Sequence, residues 1–307
     1  MKNSIVVVIC FYLLLISNAF SQSNSDILVP FSKEEFSIIK YMLDYDVSIP
    51  HNVRIVDSYD FENHTREKIV FTSIHDERVP GYLAIPNNAS KPLPLVIFCH
   101  GGGGSKDWGW QNNNYTGQIV QKFIAKGYAV LSLDAQHSGE RLYNNDFELA
   151  YKYIVDKQWY NRERDMIFQT VIDYRRALDY LSTRSEIDIN RVGVDGFSFG
   201  SVVALILSSV EKRIKIISLS GLPIGRNSYN WDYRILRKYN YIHGISQPLI
   251  LQLGLDDSNL IKEDVEYFFD LIKSSEKKIQ WYDSGHTLPI EYQDKVINWF
   301  NPLLMDN

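Results

Sequence analysis

The sequence predicts an α/β fold in which a mainly parallel, eight-stranded sheet carries helices on both faces. Short apolar, β-branched runs alternate along the chain with longer runs of helical periodicity. The central short runs are apolar almost throughout, which is typical of strands buried on both sides. A chain of 307 residues, 45% of them hydrophobic, is long enough to bury the core that such a sheet requires.

The predicted elements follow one another without a break in composition. Residues 68–73 and 81–86 are expected to form an opening antiparallel pair. The six further strands are predicted at residues 95–99, 128–133, 191–194, 214–219, 248–253 and 278–282. Helices are predicted at residues 33–45, 115–126, 164–182, 201–209, 262–274 and 291–300. No repeat or low-complexity linker interrupts this alternation, which indicates one catalytic domain.

Two connections, residues 138–163 and 221–245, are longer than the alternation requires. Loops of that length are usually functional or carry helices of their own. Both are rich in aromatic residues, namely Tyr143, Phe147, Tyr151, Tyr153, Trp159, Tyr160, Tyr229, Trp231, Tyr233, Tyr239 and Tyr241. Two interpretations stay open: these insertions form a cap over a substrate pocket, or they simply cover the sheet.

The first residues have the order of a secretory signal: Lys2, an apolar run over 5–16, and mostly small or polar residues over 17–22. We therefore expect a signal peptide over 1–21, a single domain over 22–307, and a secreted or periplasmic location. An uncleaved anchor is the alternative, but the run is shorter than the roughly 20 apolar residues that a spanning helix needs. After removal of the signal no membrane span is expected, and Cys99 alone leaves no internal disulfide.

Charge and motif content argue against several classes of function. The net charge of -5 and the lack of a basic tract interleaved with aromatic residues make nucleic acid an unexpected partner. No His-Glu-x-x-His motif and no cysteine cluster is present, so the sequence predicts neither a metal nor a cofactor.

A Gly-x-Ser-x-Gly motif spans residues 196–200 and directly follows the predicted strand 191–194. It opens the apolar helix that is predicted from Ser201, which is the strand–turn–helix setting of a nucleophile elbow. Small flanking residues let the serine hydroxyl project from such a sharp turn. The sequence therefore predicts Ser198 as a nucleophile.

A serine hydroxyl needs a neighbouring base, which is itself oriented by a carboxylate. His286 lies just past the last predicted strand, where the carboxyl ends of parallel strands converge. His100 and His137 also follow strands but precede the nucleophile, and His243 lies in the second long connection. We expect His286 to be the base.

The acid is expected after the seventh strand, where Asp256 and Asp257 are adjacent. The residues alone leave both open, because one of the two can cap the next helix or tighten the turn. Asp283 is a weaker rival that suits a turn, and Asp195 stands too close to the elbow to reach the base.

Four glycines, residues 101–104, follow the third predicted strand. Backbone amides in such a run can approach a developing oxyanion because no side chains intervene. We expect the amides of Gly102 and Phe199 to be the two donors of an oxyanion hole. A phosphate-binding loop is the alternative for a glycine run, but the required Lys-Ser/Thr pair does not follow.

Together these motifs resemble the α/β-hydrolase superfamily, in the branch of dienelactone hydrolases and acyl esterases, and the catalytic domain of prolyl-oligopeptidase-type enzymes. The resemblance runs from about residue 68 onward, through residues 100–102, 133–141, 196–200, 254–257 and 285–286. It implies an α/β-hydrolase fold with aromatic-rich cap insertions. It also implies Asp257 as the acid, and Asp134, His137 and Arg141 as residues that brace a loop.

The resemblance implies a secreted serine hydrolase, and first of all a carboxylic-ester hydrolase that works through an acyl-enzyme. Small-molecule or carbohydrate esters are the expected substrates, in particular acylated carbohydrates or aryl esters, because aromatic side chains stack on rings. A peptidase or amidase of the prolyl-oligopeptidase type and a non-catalytic binding protein remain alternatives. Ser201 stands where an extra glycine is frequent, and a serine replaces the cysteine of dienelactone hydrolases. The oligomeric state is left open.

Overall fold

The computed structural model of the protein describes residues 28–90, 92–112, 115–143, 160–226, 228 and 233–305. The predicted signal peptide, residues 1–21, lies outside the described residues. So do several aromatic residues of the two long connections, namely Phe147, Tyr151, Tyr153, Trp159, Tyr229 and Trp231.

A nine-stranded sheet organises the described part of the chain. Its strands are β1 (Arg54–Asp60), β2 (His64–Thr72), β3 (Arg78–Pro86), β4 (Leu93–Cys99), β5 (Ala129–Leu133), β6 (Ile187–Phe197), β7 (Ile214–Ser220), β8 (Leu249–Gly254) and β9 (Lys277–Tyr282). They lie in the order β1-β2-β3-β5-β4-β6-β7-β8-β9. The first three strands and the β3–β5 pair are antiparallel, and all pairs from β5 to β9 are parallel. The mainly parallel sheet and its opening antiparallel pair are as predicted.

The sheet has one strand more than the sequence predicts. Strand β1 lies at the edge, pairs only with β2, and has all seven residues exposed. Neither of its faces is buried, so it lacks the period-two alternation from which a strand is recognised. A register shift between Ile55 and Asp57 interrupts its pairing further.

Seven α-helices are described: α1 (Lys33–Met42), α2 (Ile119–Ala125), α3 (Glu140–Tyr143), α4 (Tyr160–Leu181), α5 (Phe199–Val210), α6 (Lys262–Leu271) and α7 (Tyr292–Leu304). Six of them correspond to predicted helices, and the short α3 lies in the first long connection. Helix α4 begins at Tyr160 instead of residue 164, and α2 begins at Ile119 because the residues before it form turns. Within the described ranges, no helix has the length and apolar content to cross a membrane.

Apolar side chains fill both faces of the sheet. Residues of α4 and α5, such as Val171 and Leu205, pack on one face. Residues of α2 and α7, such as Phe123 and Phe300, pack on the other. The parallel strands are therefore held between two helical layers, and their carboxyl ends meet at one edge of the sheet, where parallel α/β sheets bind ligands.

The described aromatic residues of the second long connection mostly cover the core. Tyr239 and Tyr241 are buried, and Tyr239 packs edge-on against Phe268 at 5.6 Å between ring centroids. Tyr233 stacks on Tyr160, at the end of the first connection, with centroids 5.8 Å apart. For Tyr239 and Tyr241 the covering role is correct.

Candidate active site

Ser198 lies at the sharp turn between β6 and α5. Its φ of 55° and ψ of -118° fall in a region that residues with a Cβ rarely adopt. The Ser198 amide donates a hydrogen bond to the carbonyl of Ser220 at 2.8 Å, which ties the turn to the end of β7. The turn therefore presents the serine at the carboxyl edge of the sheet.

The two glycines of the motif are required by close backbone approach. A Cβ on Gly196 would collide with the carbonyl of Gly200, and a Cβ on Gly200 would collide with the carbonyl of Cys99. The Gly-x-Ser-x-Gly spacing therefore lets α5 begin directly against β4 and β6.

Three predicted side chains form one hydrogen-bonded chain. His286 Nε2 lies 2.8 Å from Ser198 Oγ, and His286 Nδ1 lies 2.6 Å from Asp257 Oδ2. The turn after β8 supplies Asp257, and the loop after β9 supplies His286. A carboxylate accepts only, so Nδ1–H donates to Asp257 and Nε2 is left to accept from the serine hydroxyl.

Asp257 is buried and has a second donor besides the histidine. Its Oδ1 accepts hydrogen bonds from the Asn259 backbone at 3.0 Å and from Asn259 Nδ2 at 2.9 Å. Burial raises the pKa of Asp257, but the hydrogen bonds from His286 and Asn259 outweigh burial and hold that pKa below its ordinary value. The group is therefore an ionised carboxylate at neutral pH.

The rival carboxylates are not hydrogen-bonded to His286. Asp256 is exposed, with its amide bonded to the carbonyl of Ser284 at 3.0 Å, and Asp283 is exposed as well. Asp195 is buried in β6. Of the four candidate aspartates, Asp257 is the one on the histidine.

The two residues predicted to supply the oxyanion donors, Gly102 and Phe199, are neighbours in space. A Cβ built on Gly102 would lie 3.6 Å from the Cβ of Phe199. Helix α5 begins at Phe199, so the amide of this residue has no acceptor within the helix and lies at the positive end of the helix dipole. The arrangement suits a negatively charged oxygen close to Ser198.

A buried ion pair fixes the far end of the glycine run. The Lys106 amide donates to Asp134 Oδ1 at 2.8 Å, and Lys106 Nζ donates to Asp134 Oδ2 at 3.0 Å. Arg141 Nη1 donates to the Asp134 carbonyl at 3.2 Å. These contacts connect the glycine loop to the end of β5 and agree with bracing roles for Asp134 and Arg141. His137, the third residue given such a role, is buried with φ 61° in the same turn.

His100 fixes the near end of the same loop. Its Nδ1 lies 2.8 Å from the carbonyl of Gly101, and its Nε2 accepts from the Ala135 amide at 3.1 Å. Burial lowers the pKa of His100, so the neutral imidazole is the relevant form. Both ring nitrogens of His100 are therefore engaged in holding the loop, and neither is hydrogen-bonded to Ser198.

Two contributors to the site, Lys106 and Asn259, are not identified from the sequence. The Asp-x-Asn spacing over 257–259 is the signal from which Asn259 could be found, because an aspartate side chain often accepts a hydrogen bond from the backbone two residues further along a turn. Lys106 has no such local signal, since its partner Asp134 is distant in the chain. In the parts of the chain that the structure describes, no group of three His, Cys, Asp or Glu side chains could hold a metal ion.

Residues 48–223, more than half of the chain, match the acetyl xylan esterase (AXE1) family. The Bacillus subtilis protein YtaP, described as a hydrolase, is 29% identical over 160 residues. That alignment covers 49% of this chain and 52% of YtaP, so the chain spans about half the length of this curated relative. The esterase FrsA of Photorhabdus laumondii is 26% identical over 175 residues, which cover 56% of this chain and 35% of FrsA.

Solved structures with the same fold include acetyl xylan esterase 1 of Thermoanaerobacterium sp. JW/SL YS485, with a TM-score of 0.70 at 17% identity. The alignment covers 89% of this chain and 95% of that one. The acetyl xylan esterase of Paenibacillus sp. R4 gives a TM-score of 0.69 at 17% identity, over 92% of this chain and 100% of that one. The predicted α/β-hydrolase fold is confirmed, and the family match agrees with the predicted enzyme class, a carboxylic-ester hydrolase.

Proposed function

The chain belongs to the acetyl xylan esterase (AXE1) family of carboxylic-ester hydrolases, and we propose that Ser198, His286 and Asp257 are the catalytic triad of its ester hydrolysis. The observation that carries this proposal is the continuous hydrogen-bonded chain from Asp257 Oδ2 through the imidazole to Ser198 Oγ, at 2.6 and 2.8 Å. A serine activated in this way attacks acyl groups.

In the first half of the reaction, Ser198 Oγ attacks the ester carbonyl carbon while His286 Nε2 takes the hydroxyl proton. The Asp257 carboxylate stabilises the imidazolium that forms. The carbonyl oxygen becomes negative and accepts hydrogen bonds from the amides of Gly102 and Phe199. Each such donor contributes about 3 kcal/mol to stabilisation of the transition state.

In the second half, the carbon–oxygen bond to the alcohol breaks, and His286 gives its proton to the departing alcohol oxygen. Ser198 is then esterified by the acyl group. A water molecule, deprotonated by His286, attacks the acyl carbon. The carboxylic acid leaves, and the serine regains its proton.

We propose acylated carbohydrates as the substrate class, with aryl esters as the second candidate. Support comes from the family description and from the acetyl xylan esterases that share the fold. The exposed ring of Tyr115, which packs against Phe197 beside the imidazole, also suits a cyclic alcohol. A comparison of an ester and an amide with the same acyl group tests whether the protein is an esterase. Faster hydrolysis of the amide would favour a peptidase, and no hydrolysis of either substrate would favour a binding protein.

We also propose that residues 1–21 are a signal peptide, that residues 22–307 form one catalytic domain, and that the protein is secreted or periplasmic. The support is the succession of charged, apolar and small residues at the start of the sequence. Amino-terminal sequencing of protein recovered from the medium or the periplasm is expected to start near residue 22. An intact first residue on cytoplasmic or membrane-bound protein would contradict the proposal.

The triad is tested by acetate release from methyl acetate and from an acetylated xyloside. The substitution Ser198→Ala is expected to lower kcat by a factor on the order of 10⁵ to 10⁶, because the nucleophile is removed. Ser182→Ala, at an exposed helix end, is the matched control and is expected to leave kcat unchanged. Full activity of folded Ser198→Ala would reject the proposal.

A further inference from the structure

Tyr115 is an exposed ring on a rigid support. Its side chain is 40% exposed, yet its ring stacks on Trp108 with centroids 5.7 Å apart and planes inclined by 10°. Trp108 in turn packs under the glycine loop, where a Cβ on Gly101 would lie 3.1 Å from the indole. One face of the aromatic pair is therefore held by the loop that carries the proposed oxyanion donor Gly102.

The backbone around Tyr115 is fixed by the start of α7. Tyr292 Oη donates to the Tyr115 carbonyl at 3.1 Å, and Gln293 Nε2 donates to the Thr116 carbonyl at 2.6 Å. Both donors are buried residues of the helix that follows the His286 loop. The position of Tyr115 is therefore linked to the segment that carries the histidine.

A third ring connects Tyr115 to the site. The Phe197 centroid lies 5.9 Å from that of Tyr115 and 5.6 Å from that of the His286 imidazole. Phe197 is buried, directly before Ser198, so it forms a floor, whereas Tyr115 presents its ring to solvent. An aromatic surface therefore begins at the imidazole and continues outward to Tyr115.

The direction of proton transfer decides which part of an ester meets this surface. His286 must protonate the departing alcohol oxygen, so the alcohol lies on the imidazole side of the reacting carbon. Tyr115 lies on that same side, because its ring packs against Phe197, which contacts the imidazole, and its backbone is held by α7. Because aromatic faces pack well against the faces of rings, we propose that Tyr115, backed by Trp108, binds the sugar ring of the alcohol part and determines specificity for it. This inference rests on the proposed esterase function.

The test compares two acetates that differ only in the alcohol, an acetylated methyl xyloside and methyl acetate. The readout is the ratio of their kcat/KM values. Tyr115→Ala is expected to lower this ratio roughly five- to tenfold, mainly through KM for the xyloside, whereas Tyr115→Phe keeps the ring and the ratio. Tyr267→Ala, which truncates a tyrosine of similar exposure on α6, is the control that leaves the ratio unchanged.

Tyr115→Leu is the second variant, for use if truncation to alanine impairs folding. It keeps apolar bulk on Trp108 but removes the aromatic face, so the ratio is again expected to fall. An unchanged ratio in both variants, with both esters hydrolysed by the parent protein, would reject the role of Tyr115 and leave the proposed function intact. A change that follows acyl length, measured with methyl butyrate, would place the ring on the acyl side and also reject it. No hydrolysis of either acetate by the parent protein would reject the proposed function and this inference with it.

Discussion

Asp257 and Asp195 are both buried aspartates of the parallel sheet region, but their carboxyl groups differ in charge. Donors from His286 and Asn259 keep the pKa of Asp257 below its ordinary value despite burial. Burial raises the pKa of Asp195 to about 7, and only Ser218 acts in the opposite direction. Asp195 Oδ1 is buried without a hydrogen-bond partner among the described residues. The comparison shows that donors, more than burial, decide which aspartate can serve as the acid of a triad.

Asp134 extends the comparison to a third kind of surrounding. It is as buried as Asp195, but the ammonium of Lys106 lies 3.0 Å from its Oδ2. The Lys106 ammonium stabilises the Asp134 carboxylate, and His286 stabilises that of Asp257. Among the described residues, no cation or histidine is bonded to the Asp195 carboxyl. Because the three carboxyl groups have different surroundings, we expect a different response when each aspartate or its partner is substituted.

Among the substitutions that test this comparison, the largest effect is expected for Asp257→Asn. An amide cannot hold the imidazole in the required tautomer or stabilise the imidazolium, so kcat for methyl acetate is expected to fall by a factor on the order of 10⁴. Asp256→Asn, at the exposed neighbour, is the matched control and should leave kcat within about twofold. A larger loss for Asp256→Asn would transfer the acid role by one residue.

The next effect is on stability. Lys106→Met leaves Asp134 buried without its cation, so the free energy of unfolding is expected to fall by about 3–5 kcal/mol in urea denaturation. Lys122→Met breaks an exposed pair with Asp294 and is expected to cost at most about 1 kcal/mol. Equal losses in the two variants would show that the Asp134 pair has no special weight.

The raised pKa of Asp195 predicts that the stability of the protein depends on pH. Its carboxyl has a pKa of about 7 in the folded protein, against 3.8 as its ordinary value. The folded state therefore holds a proton that the unfolded chain releases, and this contribution to the free energy of unfolding falls as pH rises from about 4 to about 7. Cys99 and Tyr292 face this carboxyl, and burial raises the pKa of each, so neither titrates in that range.

The test is Asp195→Asn, compared with the parent protein by urea denaturation at several pH values. The variant is expected to gain stability relative to the parent as pH rises through this range, by about 4 kcal/mol at pH 8. A difference between the two proteins that does not change with pH would mean that Asp195 is not protonated in the folded state.

The smallest effect is expected for Asn259→Ala. The substitution removes one of the two hydrogen bonds from residue 259 to Asp257 Oδ1, and the backbone bond remains. We expect kcat/KM to fall roughly fivefold to tenfold, which corresponds to about 1–1.4 kcal/mol, because the loss of a hydrogen bond to a charged group, about 1.5–3 kcal/mol, is partly offset by the backbone bond that remains. Asn190→Ala, at an exposed position near the start of β6, serves as control. No loss in Asn259→Ala would show that His286 and the backbone amide of residue 259 are sufficient to hold Asp257 in place.

Much of the fold could be predicted because burial leaves a pattern in the sequence. The sandwiched strands are continuous apolar runs and six helices have helical periodicity, whereas β1 has neither because all its residues are exposed. Ser198 is predictable since its two flanking glycines are forced by backbone contacts. The choice between Asp256 and Asp257 depends on which side chain turns inward. The partners Lys106 and Asp134 are brought together only by the fold.

The central claim is that Ser198 is an activated nucleophile. The most direct measurement is labelling of the purified protein with a fluorophosphonate, followed by mass spectrometric mapping of the modified peptide, with Ser198→Ala in parallel. The account predicts one adduct, on Ser198, in the parent protein and no adduct in the variant. An adduct on another residue, or no labelling of folded parent protein, would contradict it.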